Sequence, residues 1–287
     1  MLTSNIPTLM TSLTVDPVLL WNEWSFLRDE VEHNTGKEAI YNVLKPKRQS
    51  CLEDIALLLE QKGWSIPASG SQEPNGVPYY VVFNNSSDGF TGGAPTGYTT
   101  VAGINPTTYT NWKNYSYKYV TASKPDLVTK MRKVQRQINW ISPVSNQDYT
   151  KGQFNNYRIY CDETTLESFE SIGEAQNENL GRDLAPYGTV RDVKMESNQL
   201  VFRRHPIIWI RMLDDTNVMT SAVAVNPVYF IDHSTFYPVV WKGDVFREDE
   251  PIRLQNQPRT FRVDVWLKYN YLNVNRRANG VLSKATS

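Results

Sequence analysis

Cysteine is scarce in this 287-residue chain: Cys51 and Cys161 are the only two, with no CxxC pair and no basis for a disulfide framework. A reducing cytosol and two core thiols are the expectation. Histidine is almost as rare. His33, His205 and His233 lie far apart with no HxH or HExxH spacing, so ordinary histidines are expected and no metal site. An excess of charge is missing too, with 30 lysines and arginines against 30 aspartates and glutamates. No overall field draws the chain to nucleic acid or an anionic membrane, and any such contact has to be local. The first residues carry no basic segment before an apolar run, and no window approaches the roughly 18 apolar residues of a membrane span. The expectation is a soluble protein with no signal peptide and no membrane contact.

Signatures of catalysis are absent as well. The glycine-rich run 89–97 lacks the Gly-Lys-Ser/Thr ending that holds phosphate and Mg²⁺ and opens no helix, so it reads as a loop. Asp214 and Asp215 could ligate a cation, but an Asp pair before a polar Thr-Asn is more often a turn. No GxSxG elbow occurs, and neither cysteine has a nucleophile signature. The sequon Asn114-Tyr115-Ser116 carries no meaning without secretion. No catalytic, cofactor-binding or metal residue is expected, and no cofactor.

What the chain does have is aromatic side chains, 12% of residues, which suit buried faces and subunit contacts alike. It also has one well-marked helix. Ser123 as N-cap and Pro125 in the first turn open it, Pro143 stops it, and the spacing predicts a helix over 124–141. Leu127, Met131, Val134, Ile138 and Ile141 make its apolar stripe. Lys130, Arg132, Lys133, Gln135, Arg136 and Gln137 form the opposite flank, read either as a solvated face or as a contact with another subunit or with nucleic acid.

In chain order, 1–20 reads as an extended arm that finds its partners elsewhere, and 21–32 as an aromatic strand. Thr35 with Glu38 caps a short helix carrying Ala39, Ile40, Val43 and Leu44 that Pro46 ends or kinks. Ser50 with Glu53 opens a second over 51–62, with Leu52, Ile55, Leu58 and Leu59 inward and Gly63 as stop. Residues 64–112 are loop-rich with one strand at 79–83. Further strands are read at 157–161, 200–202, 207–213 and 228–231, a capped helix from Thr164, and a mobile loop at 174–188. Near the end, 260–268 alternates strictly, with Phe261, Val263, Val265 and Leu267 on one face, and 271–275 continues in the same style. The fold class is α+β. The stripe of the 124–141 helix is expected to pack on the 261–267 face.

Several stretches, in this order, resemble one family. They are Asn34-Thr35-Gly36-Lys37-Glu38-Ala39-Ile40; the phrase Val101-Ala102-Gly103-Ile104-Asn105-Pro106-Thr107-Thr108-Tyr109 with Trp112 after it; Asn226-Pro227-Val228-Tyr229-Phe230-Ile231-Asp232; and the tail Tyr271-Leu272-Asn273-Val274-Asn275-Arg276-Arg277. Together they resemble major capsid proteins of tailed bacteriophages with the HK97-type fold, over about 34–282, with Ala102 where the family pattern has a glycine. The resemblance implies an N-terminal arm and E-loop strand at 1–33, and a peripheral (P) domain at 34–156 with 124–141 as its spine helix. It further implies an axial (A) domain at 157–237 and return strands of the P domain at 238–287. It implies a structural subunit that self-assembles into hexamers and pentamers of an icosahedral head around double-stranded DNA, in the virion, after assembly in the host bacterial cytoplasm. Portal, scaffolding and cement proteins are the further partners it suggests, and packaged DNA a non-specific one. An encapsulin-like compartment is the alternative within that fold. A hydrolytic enzyme and a monomeric binding module are the readings from other classes.

Overall fold

The computed structural model describes residues 12–32, 44–138, 157–179, 193–196, 199–203, 205–219 and 223–285. Two sheets carry the chain. The first has five strands, centred on the 14-residue β12 (Thr260–Asn273). On one side β12 pairs antiparallel with β1 (Val18–Leu27), Leu20 opposite Leu267 and Trp24 opposite Val263. On the other it meets in turn β9 (Phe236–Val240), β10 (Arg247–Glu248) and β11 (Ile252–Arg253). The second sheet orders β2 (Gly89–Gly92), β3 (Asn114–Tyr119), β13 (Gly280–Lys284), β8 (Val228–Asp232), β4 (Tyr157–Cys161), β7 (His205–Trp209), β6 (Gln199–Phe202) and β5 (Val193–Glu196). β13 runs parallel to β3 and β4 parallel to β7, and the other pairs are antiparallel.

Both faces of the second sheet are buried, and alternation along its strands separates two cores. Ile159, Cys161, Val228, Phe230 and Leu282 point into one. Tyr160, Tyr229, Ile231 and Val281 point into the other. The first core is roofed by α4 (Thr129–Ile138) and α5 (Glu163–Asn179). The second is filled from the loop-rich region and from α3 (Val77–Tyr80).

The helix read at 124–141 is therefore present over its described part, 124–138, but packed elsewhere than expected. Its stripe of Leu127, Met131, Val134 and Ile138 belongs to the first core of the eight-stranded sheet, while Val265 packs with Cys51 and Ile55. A helix with a narrow stripe fits any flat apolar face, and sequence periodicity does not say which. The stripe is also wider than read, because Val128 and Gln135 are buried beside it. The helix starts with a π turn, Lys124–Val128, in which the Ser123 carbonyl accepts N–H groups from both Leu127 and Val128. The Ser123 side chain makes no cap. Asp126 in the first turn reaches back instead and ties the preceding loop to the helix, its carboxylate accepting the Val120 and Thr121 N–H groups. Ile141 and Pro143 lie outside the described residues.

The five-stranded sheet is covered on one face by the longest helix, α2 (Leu44–Gly63). The two helices read around Pro46 and Ser50 are, over the described part, this one helix. Pro46 sits in its first turn, where a missing N–H costs nothing, and Glu53 receives the Gln49 amide. Cys51, Leu52, Ile55 and Leu59 face Leu20, Trp24 and Val265, and Leu58 is not among them. Thr35, Glu38, Ala39, Ile40 and Val43 are outside the described residues.

Other boundaries move for local reasons. The strand over 21–32 is β1, which gives way to α1 (Arg28–Glu32). Residues 79–83 form no strand: Val77–Tyr80 is a helical turn entered through Pro78, and a run buried on all sides shows neither period. β7 ends at Trp209, and Arg211–Leu213 is a 3-10 turn whose Met212 and Leu213 fill the second core. α5 starts at Glu163 and is capped by Asp162, whose carboxylate accepts the Thr165 hydroxyl and backbone N–H, so Thr164 is not the cap. It runs through 174–179, read as loop, and 180–188 is outside the described residues. The arm also finds its partners at home where it is described. The Thr14 N–H donates to the Ala102 carbonyl, the Asn270 amide donates to the Asp16 carbonyl, and Leu13 and Val15 pack on the second core.

Met131→Ala should cost about 2 to 5 kcal/mol by urea unfolding. Arg136→Glu, on the exposed flank, should stay within about 0.5 kcal/mol of wild type. The Met131→Ala and Val265→Ala losses should add to within about 0.5 kcal/mol, since the two side chains sit in separate cores. Strong coupling would return the helix to the five-stranded sheet.

Candidate functional site

Among the described residues, the candidates weighed in the sequence take part in local structure. His205 is buried on β7, edge-on to Tyr157 at 6.0 Å, and burial holds its pKa below the usual value. His233 shares a 2.7 Å hydrogen bond with the Tyr160 hydroxyl, and burial, then the neighbouring Arg158, lowers its pKa. His33 lies outside the described residues. Burial pushes both thiols up, Cys161 most strongly, which makes each a poor nucleophile. Asp214 and Asp215 form the expected turn. Asp214 accepts the Glu163 N–H at the start of α5 and the Trp209 indole N–H, and Asp215 accepts from Asn217. Among the described residues no group of three His, Cys, Asp or Glu could hold a metal ion, and no helix is long and apolar enough to cross a membrane.

The most heavily bonded polar centre was invisible in the sequence. Arg276 follows β12 in a 3-10 turn (Arg276–Ala278) and is fully buried. Its guanidinium donates to the carbonyls of Tyr80, Trp112, Gly92 and Gly93 and to the Asn114 side-chain oxygen, at 2.6 to 3.4 Å, and lies 5.8 Å from the centre of the Trp112 ring. None of these five acceptors is a carboxylate. Burial pulls its pKa down to about 9, with Tyr79 and Tyr80 pushing back, so it stays charged at neutral pH. A planar fork of N–H donors matches this ring of oxygens, which a single ammonium would not.

Around Arg276 the described stretches that carry the family resemblance, 101–112, 226–232 and 271–277, come together, and 34–40 lies outside the described residues. Val101 and Ile104 bracket a tight turn in which Ala102 and Gly103 both take positive φ, 50° and 82°. Such a turn favours glycine at both places, and Ala102 adopts the left-handed geometry despite its side chain. The Trp112 indole donates to the Val101 carbonyl, and Tyr119 donates to the carbonyl of Asn226, itself at φ 44°. Asn279 accepts the Asp232 N–H and donates to Thr235 and to the Asn275 carbonyl. Of the 89–97 run, 89–92 is β2, and Gly92 and Gly93 serve Arg276 with their carbonyls; a Cβ on Gly92 would lie 2.1 Å from the Asn114 oxygen. The Asn114 amide is fully buried and bonded to the Val82 carbonyl, which closes the sequon to any glycan. Over the described residues these motifs build the joint between the two sheets.

No protein-family model matches the chain, and no curated protein matches it. Solved structures do. The capsid of Myoviridae phage XM1 matches with a TM-score of 0.52 at 10% identity, over 93% of this chain and 73% of that one. The capsid of the native GTA particle matches with a TM-score of 0.52 at 10% identity, over 99% and 80%. The holo-SrpI encapsulin of Synechococcus elongatus PCC 7942, at 0.48 and 8% over 93% and 73%, is too loose a likeness to argue from. At these identities the likeness speaks for the fold alone, and that fold is the α+β, HK97-type fold.

Arg276→Met should cost at least about 3 kcal/mol, since it strands buried oxygens. Arg276→Lys should recover less than half of that; a lysine variant as stable as wild type would show that the fork is not needed. The histidines set a pH dependence. With folded pKa values below the unfolded one, the unfolded chain binds protons first as pH falls. Stability should therefore be full above about pH 7 and fall as pH drops through 6.5 towards 5, and a His205→Gln variant should show a flatter urea-midpoint profile.

Proposed function

We propose that this chain is a self-assembling shell subunit, the major capsid protein of a tailed bacteriophage, forming hexamers and pentamers of an icosahedral head around double-stranded DNA. The observation that carries the reading is the fold: it is that of two capsid subunits through 93% and 99% of the chain. The burial of the titratable candidates, and their use in caps and turns, favours a structural role over catalysis. Since one fold hosts many functions, assembly itself is the discriminating property.

Under this reading the domains follow the sheets. The five-stranded sheet with α2 along it is the P domain, and α2, lying against the long return strand, takes the spine position first read at 124–141. The A domain is centred on 157–237, and β3, α4 and β13 join its sheet. Residues 1–33 serve as arm and E-loop strand. The virion is the protein's destination after assembly in the host bacterial cytoplasm, with portal, scaffolding and cement proteins as further partners. Contact with packaged DNA is non-specific and local, because the chain carries no net charge to supply more.

Purified protein should give shell-sized particles by light scattering and electron microscopy, enclosing nuclease-protected DNA when recovered from infected cells. Protected protein cargo in place of DNA would favour the encapsulin-like alternative. A species that stays monomeric at every concentration tested would overturn the proposal.

A further inference from the structure

Most of the large apolar side chains that stay exposed among the described residues lie on or beside one sheet, the five-stranded one. α2 covers one face of it. Strict alternation along β1 turns Leu19, Trp21 and Leu27 to the other face, away from Trp24 and Leu20. There Trp21, 52% exposed, stands 6.0 Å from Trp266 across the β1–β12 pair. The row continues over β12: Lys268 lies beside Leu19 in register and reaches over the Trp241 ring at 5.2 Å. Trp241 is 53% exposed, and Phe246, four residues on from Lys242, is 43% exposed. Phe246 is moreover held at φ 47°, a conformation a bulky side chain rarely adopts, at the turn into β10. A lone domain has no use for a band of tryptophans and valines kept in water by a constrained turn.

We infer that this outer face, from β1 across β12 to the 241–246 turn, is a docking surface for a second copy of this chain. The inference rests on the shell-subunit reading and names the surface through which the copies join. The charges decide the occupant. On this face and its turn Lys242, Arg247, Arg262 and Lys268 stand against Glu23, Asp244, Asp249 and Asp264, so it is of mixed sign with no large excess of either. Most of these charges are already engaged. Arg247 lies 3.6 Å from Asp244 and 3.3 Å from Asp249, and Arg262 lies 3.2 Å from Glu23 and 3.0 Å from Asp264. Such a surface offers no field to polyanionic DNA or to an anionic membrane. It complements a partner that is itself neutral, apolar at its centre and of mixed sign at its rim, which is what a second copy presents.

Two measurements on the full-length chain test this. In the first, p-benzoylphenylalanine replaces Trp241, and the photoproducts are resolved by mass, with the same probe at the exposed Tyr109 as the off-sheet control. In the second, Trp241→Glu combined with Phe246→Glu is compared with Tyr109→Glu for the concentration at which half the subunits are assembled. The expected results are chain-to-chain adducts from position 241 but not 109, and at least a tenfold rise in that concentration for the double variant alone, with an unchanged circular dichroism spectrum. Shells that assemble normally from the double variant, or that form without adducts at 241, overturn the docking surface and leave the shell reading standing. Adducts at 241 in a protein that stops at small oligomers uphold the surface and overturn the shell reading. A protein that is monomeric and gives no adducts overturns both.

Discussion

The subunit depends on one buried cation. Arg276 sits where β12 leaves the five-stranded sheet and the chain turns into β13 of the eight-stranded one, and its guanidinium gathers oxygens from α3, the end of β2, the turn before β3 and β3 itself. A carboxylate partner would have neutralised it with two bonds. Oxygens from three stretches, at 80, 92–93 and 112–114, neutralise nothing but give each guanidinium nitrogen an acceptor, so the charge is best tolerated when all of those stretches are in place. The arrangement makes the joint conditional on folding around it. Asn114 extends the same logic by tying Val82 to β3 while it accepts from Arg276.

From that joint the two sheets part in character. The eight-stranded sheet is buried on both faces and holds most of the apolar core. The five-stranded sheet has one helix on one face, a small core around Val265, and a bare outer side rich in tryptophan. A sheet covered on a single face normally presents polar residues on the other. This one sets Leu19, Trp21, Trp266 and Trp241 among its charged residues, and that apolar row is the physical reason to regard its outer side as unfinished in the single chain. On the shell-subunit proposal, the joint would set the angle at which each copy presents its surfaces.

Legibility in the sequence followed the range of the interactions involved. The helix over 124–138, the strand at 157–161 and the alternation of β12 were readable because each is set by neighbours three, four or two residues away. The phrases around 101–112, 226–232 and 271–277 were readable as a resemblance, with no indication of what they do. The strand expected at 79–83 failed because four consecutive buried residues, Val77 to Tyr80, carry no period of either kind. Arg276 was legible only as a member of the 271–277 phrase and Asn114 only as part of a sequon, since nothing local distinguishes an arginine that meets oxygens 160 to 200 positions away.

The sequence by itself determined the elements with a strong period, the α+β class, the lack of a net field and the lack of any spaced catalytic or metal set. These are properties of composition and of contacts close along the chain, which survive without knowledge of the fold. Only the tertiary structure decided that the stripe of α4 belongs to the eight-stranded sheet, that α2 serves the other, that the arm docks on its own subunit at Ala102, and that one face of β1 remains bare. Each of those is a choice among several apolar faces of similar width, and the choice is made by long-range closure: the burial of Arg276 and the pairing of β1 with a strand some 240 residues further on.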